Sequence, residues 1–173
     1  MALIHTANVN YSSEKIAFAN KLKSIISKDS VFFCIGTDKV IYDSLGPIIG
    51  HKLKQKAPYL NVYGTLKHPI MALNINKEFE IISHQHKGAQ IIGIDASLSE
   101  DIEDINDVKF YEGPVRPGAG MGKQLTPVGN YKIIGIVDSK DNPGIRRGSI
   151  RLYHINLMAD FIVDSILKSL EII

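Results

Sequence analysis

The chain has 173 residues, 45% of them hydrophobic, with 20 Lys and Arg against 18 Asp and Glu and a net charge of +2. That length predicts one domain over residues 1–173, and the composition excludes a disordered or fibrous chain. The charge is too balanced for a generic nucleic-acid binder, and no apolar run approaches the length of a membrane-spanning helix, so neither a nucleic acid nor a membrane is expected as a partner.

The elements are predicted in chain order. Residues 1–30 are read as an N-terminal helical region, with the helix itself over 13–27. Phe18, Leu22, Ile25 and Ile26 make one apolar stripe there, Ser12 or Ser13 is the expected cap, and Glu14 suits the first turn. The start of the chain lacks the charged and apolar regions of a signal peptide. VFFCI, 31–35, reads as a strand buried on both faces and ended by Gly36. A second helix is expected over 44–55, with Leu45, Ile49 and Leu53 spaced by four, then a strand over 61–66 and a short helix over 77–86. Residues 89–94 read as another buried strand, 109–112 and 131–137 as two more, and 152–170 as a long closing helix. The segments 99–107, 112–124 and 138–149 read as loops. Strands alternating with helices predict a mostly parallel, twisted sheet with helices on both faces, a three-layer α/β/α sandwich. In such a sheet the binding crevice lies beyond the carboxyl ends of the strands.

Two aspartates fall there. Asp43 lies in GTDKVIYDSLGP after the first apolar strand, and Asp95 lies in IDASLSE directly after the strand at 89–94. If those strands are neighbours, the carboxylates share a crevice. A close carboxylate pair holds a proton, so one member can activate water while the other polarises a carbonyl. Alternatively both ligate a divalent metal. The plain alternatives are structural: Asp43 as the N-cap of the second helix, with Pro47 in its first turn, and Asp95 as a turn cap.

With a third segment, RPGAGMGKQL at 116–125, these stretches resemble the bacterial spore germination proteases. RPGAGMGKQL is similar to that family's Pro-Gly-(Ser/Ala)-Gly-(hydrophobic)-Gly segment. GTDKVIYDSLGP is similar to its Asp-Ala-Leu-Gly-Pro, and IIGIDASLS to its apolar strand running into Asp-Ala-Leu. The shorter YyaC-type group of sporulation proteins is the nearer resemblance, with VYGT at 62–65 and GPVRPGAG at 113–120, and the similarity runs from about residue 31 onward. The resemblance implies the α/β/α fold of hydrogenase maturation endopeptidases. It implies an endopeptidase acting on small acid-soluble spore proteins, with Asp43 and Asp95 as its catalytic pair, and a location in the cytoplasm of the forespore or spore. The nickel-sensing histidine of the maturation enzymes has no counterpart by motif, since His84 and His86 precede the 89–94 strand and His154 lies on the last helix. Two alternatives stay open: a non-catalytic binding or regulatory protein on this fold, and a nickel-dependent maturation endopeptidase. A homo-oligomer is also left open.

The remaining candidates are weaker. Gly118, Gly120 and Gly122, with Lys123, are read as a substrate-binding loop whose amides orient a peptide or an oxyanion; the plain alternative is a loop crossing closely over the sheet. Their spacing is neither the dinucleotide nor the P-loop pattern. Cys34, the one cysteine, permits no internal disulfide and is read as an inert core residue of a reducing compartment. Ser44 and Ser97 lack a nucleophile elbow and a histidine partner. The acidic run at 100–107 lacks a calcium ladder, and Arg146, Arg147 and Arg151 read as a solvated helix start. No cofactor is expected, apart from a divalent metal at the aspartates as the alternative.

Overall fold

In the computed structural model, which describes residues 2–118, 125–140 and 150–173, the chain runs β1 (Ala2–Asn8), α1 (Ser12–Lys23), β2 (Val31–Cys34), a 3-10 turn (Ile41–Asp43), α2 (Leu45–Lys56), β3 (Asn61–Tyr63), α3 (Ile75–Gln85), β4 (Ile91–Ser99), a second 3-10 turn (Ile102–Asp104), β5 (Asp107–Glu112), β6 (Tyr131–Ser139) and α4 (Leu152–Ser169). The strands form one six-stranded sheet in the order β1-β5-β6-β4-β2-β3. Pairings β2–β3, β2–β4 and β4–β6 are parallel, while β5 runs against both β1 and β6.

Layering follows from side-chain alternation. Phe32 and Cys34 of β2, Ile92 and Ile94 of β4 and Val108 and Phe110 of β5 face α1, α2 and α4, forming the larger core. Val31 and Phe33 of β2 and Ile91 of β4 point the other way, onto Ile75 and Ile82 of α3 and onto Val115 and Val128. With both faces covered, VFFC has no solvent side, which is why it is apolar throughout. Phe18 of α1 makes a ring contact with Phe110 of β5 at 6.3 Å and with Phe161 of α4 at 5.9 Å, joining three elements at one point. Asp164 of α4 accepts from Lys15 of α1 and Lys56 of α2, both at 3.0 Å. Such partly exposed pairs contribute little stability, and they fix how α4 sits between its neighbours.

The three-layer fold agrees with the sequence reading, and four local expectations are corrected. Residues 2–8 form β1 within the region read as helical; pairing with β5 decides it, because the stretch has no strong period of its own. The helix begins at Ser12 after Tyr11, without a side-chain cap; Glu14 instead accepts a hydrogen bond from the Asn8 amide. The strand expected over 61–66 ends at Tyr63, where Gly64 turns the chain at φ +82°. The strand expected to stop at 94 continues to Ser99, because β6 pairs with it from Ile92 to Ser99. Among the described residues no helix is long and apolar enough to cross a membrane.

Candidate active site

The connection leaving β2 passes through α2 to β3 on one side, and the connection leaving β4 passes to β5 and β6 on the other. Adjacent parallel strands whose exits diverge leave a crevice between their carboxyl ends. β2 ends opposite Ile94, with the Ile35 amide donating to the Ile94 carbonyl at 2.8 Å. β4 continues, so Asp95 is the first residue of β4 that no longer has β2 beside it. Asp95 was expected beyond the strand; it lies within it, paired to Ile134 of β6 on one side and open on the other.

The open side is filled by the turn carrying Asp43. The chain leaves β2 at Gly36, whose φ of +135° is a conformation that side chains rarely adopt. A Cβ on Gly36 would lie 2.1 Å from the Asp43 carbonyl oxygen. That carbonyl accepts from the Thr37 amide at 2.9 Å, closing the loop onto itself. Helix α2 then starts against the strand end. A Cβ on Gly46 would lie 2.0 Å from the Ile35 carbonyl oxygen, so only glycine permits this approach. Gly46→Ala therefore tests the packing with a clear sign. Helix propensity alone would stabilise by up to about 1 kcal/mol. The clash should instead destabilise by about 2–3 kcal/mol and lower the melting temperature by several degrees in a thermal melt.

The N-cap alternative for Asp43 is not what the structure adopts. Asp43 ends the 3-10 turn, and Ser44 occupies the position before α2, its hydroxyl donating to the Ile41 carbonyl at 2.6 Å. Both aspartates are partly buried, and each is pushed well above the usual carboxylate range. Burial raises Asp43 to about 6, opposed by the Thr37 amide. Burial, then the negative charge of Asp43, raises Asp95 to about 8, opposed by the Ala96 amide and by Lys132. The Ala96 amide donates to Asp95 Oδ1 at 2.9 Å. The two carboxylates thus feel each other across one crevice, and around neutral pH the pair holds one proton.

Lys132 is a site neighbour that sequence reading did not pick out. In β6 it stands opposite Gly93 while Ile134 stands opposite Asp95, so Lys132 lies on the same face two residues back. Its ammonium sits 4.9 Å from the centroid of the Tyr111 ring. Burial and then Arg116 lower its pKa, and Asp95 raises it. Arg116 arrives there because Val115 pairs with Val128 and lies across Gly93, where a Cβ would meet Val115 Cγ2 at 2.4 Å. The signal was a lysine interrupting an otherwise apolar strand, YKIIGIV.

The other sequence candidates fall elsewhere. Gly118 has φ +71° just after this segment, while Gly120, Gly122, Lys123, Arg146 and Arg147 lie outside the described residues. Cys34 is buried, which pushes its thiol far up, as an inert core residue requires. His154 is exposed on α4, and His86 Nε2 lies 2.6 Å from the Tyr63 hydroxyl. Among the described residues no group of three or more His, Cys, Asp or Glu comes together, and the cation of Lys132 adjoins Asp95. The divalent-metal alternative is not used in the mechanism below.

An α/β/α sandwich with a carboxylate pair at its switch point is the class that fold and site define. Residues 5–165 match the family described as "Protein of unknown function (DUF1256)", and the chain belongs to that family. It is 36% identical over 135 residues to a Bacillus subtilis (strain 168) protein named "Uncharacterized protein YyaC". That match covers 78% of this chain and 65% of the relative. Neither description assigns an activity or a kinship to proteases.

Proposed function

We propose that the protein is an endopeptidase of sporulating bacteria, acting inside the cell, in which Asp43 and Asp95 activate water for peptide-bond hydrolysis. The observation that supports this most is the electrostatic coupling of two partly buried carboxylates at the switch point of the sheet, which leaves one proton on the pair around neutral pH. The resemblance of the Asp43, Asp95 and Gly118 segments to germination proteases supplies the substrate class, small acid-soluble spore proteins.

The division of labour follows from the two environments. Asp43, the more acidic member, is ionised and accepts a proton from water as the water oxygen attacks the scissile carbonyl carbon. Asp95, the protonated member, donates a hydrogen bond to the carbonyl oxygen as negative charge develops there. The C–N bond then breaks as Asp43 passes its proton to the leaving amine. Lys132 holds positive charge beside Asp95 and offsets the negative charge that accumulates. Gly118, Gly120, Gly122 and Lys123 are assigned to holding the substrate backbone.

This assignment sets the pH dependence. The rate rises as Asp43 ionises near pH 6 and falls as Asp95 loses its proton near pH 8, giving a bell with its maximum near pH 7. The test incubates the protein with small acid-soluble spore proteins from pH 4 to 10 and follows intact substrate by mass spectrometry. A rate that climbs steadily through pH 9 would assign the chemistry to another group. No cleavage at any pH would favour a binding or regulatory protein for this substrate.

A further inference from the structure

A lysine has a flexible four-carbon stem and a strongly hydrated ammonium, so on a sheet it swings into solvent unless its neighbours hold it. Lys132 has such neighbours. Phe110 and Ile133 point into the larger core, which sets Tyr111 and Lys132, the residues next to them, on the opposite face. There the two stand directly opposed across the β5–β6 ladder. On its other side Lys132 is opposed by Gly93, which brings no side chain of its own. Val115 takes that place, since a Cβ on Gly93 would lie 2.4 Å from its Cγ2. Lys132 thus lies in a row between Tyr111 and Val115, with its ammonium over the Tyr111 ring, 4.9 Å from the centroid. A lysine cation at that distance is attracted to the negative face of the ring.

Asp95 stands one diagonal step away along β4, within the reach of a long side chain. The charged groups that act on Lys132 are Asp95 from β4, which attracts the ammonium, and Arg116 from the segment crossing Gly93, which repels it. Lys109, two residues before Tyr111 on the same face of β5, is paired with Asp104 at 2.8 Å. Around neutral pH Asp95 carries the proton of the aspartate pair, so its pull on the ammonium is weak there. The attraction of the ring needs no charge on Asp95.

We infer that Tyr111 is a positioning residue of the candidate site, whose ring face holds the Lys132 ammonium beside Asp95. What the held charge does for hydrolysis rests on the peptidase reading; the placement itself does not.

The test follows the Asp95 carboxyl of the full chain by carbon-detected NMR titration. Lys132 favours the ionised form of Asp95, so releasing the ammonium should move the Asp95 midpoint up. Tyr111→Leu should raise it by at least about 0.5 on the pH scale, while Tyr111→Phe, which keeps the ring face, should stay within about 0.2 of the wild type. Lys132→Met removes the cation and sets the upper limit of the change. In that background Tyr111→Leu should add nothing, because Tyr111 acts through Lys132. Replacing Tyr111 with pentafluorophenylalanine keeps the size of the ring and reverses the charge of its face, and it should raise the midpoint as leucine does. That protein carries the test if the leucine variant does not fold. A wild-type midpoint in either protein, or a rise of the same size without Lys132, would overturn the inference. With small acid-soluble spore proteins as substrate, the falling limb of the pH profile should move up with the midpoint. A raised midpoint without any cleavage by the wild type would remove the peptidase reading and leave the placement standing, whereas cleavage with an unmoved midpoint would do the reverse.

Discussion

Asp43→Asn and Asp95→Asn should each slow hydrolysis of small acid-soluble spore proteins by at least about 100-fold, the lower range for losing a general acid or base. Asn keeps the size of Asp and its capability at turns. What it loses is the exchangeable proton and the charge. The structural roles of the two carboxylates are small: Asp43 caps no helix, and Asp95 accepts from the adjacent Ala96 amide, a bond that an Asn oxygen can also accept. The two variants should differ in a second respect. Removing Asp43 removes the negative charge that holds Asp95 up, so the Asp95 carboxyl in Asp43→Asn should titrate lower than in the wild type. A carbon-detected NMR titration of the aspartate carboxyls would read this directly. Full activity in either variant would remove the aspartate pair from the chemistry, and an unmoved Asp95 titration would mean that the two groups are not coupled.

Stability should fall with rising pH, and Asp95→Asn should remove the larger part of that fall. The folded-state pKa of Asp95, about 8, lies above its ordinary value of 3.8. Below about pH 4 the carboxyl is protonated in both folded and unfolded chains, and its contribution is fully present. Between about pH 4 and 8 the unfolded chain has released the proton and the folded chain still binds it, so stability falls as pH rises, and above about 8 the loss is complete. Asp43, raised to about 6, acts in the same direction between about pH 4 and 6. Asp95 is partly exposed, which softens the full linkage value, and the expected loss is on the order of 3 kcal/mol. Asp95→Asn should therefore be no more stable than wild type at pH 4 and clearly more stable at pH 9. Urea unfolding curves at both pH values provide the comparison, and a constant difference between the proteins would contradict the burial of this carboxyl.

On the peptidase reading, the stability that Asp95 costs above about pH 4 would be traded for chemistry. The origin of the cost is local. β4 passes the end of β2, so Asp95 is shielded by the turn at Gly36 and by Asp43 instead of by a paired strand. Filling that space with an apolar residue would relieve the cost and, on the peptidase reading, remove the chemistry with it.

Periodicity in the chain determined the class of fold. VFFCI and IIGI fit strands covered on both faces, and the stripe from Leu152 to Leu170 fits a helix lying along the core, as the structure has them. Asp95 stood out directly after an apolar run and Asp43 just before the second helix, and the resemblance to germination proteases singled the two out as a pair. Tertiary structure alone decided the rest. Strand β1 has too weak a pattern to announce itself and exists because β5 offers it an edge. The extension of β4 to Ser99 depends on β6, some 40 positions away in sequence, supplying its hydrogen-bond partners. Lys132 and Arg116 join the aspartates through strand register and a crossing segment, contacts that no local window contains. The raised carboxyl pKa values have the same origin, because burial and charge coupling are properties of a place in the fold and not of an aspartate in a sequence.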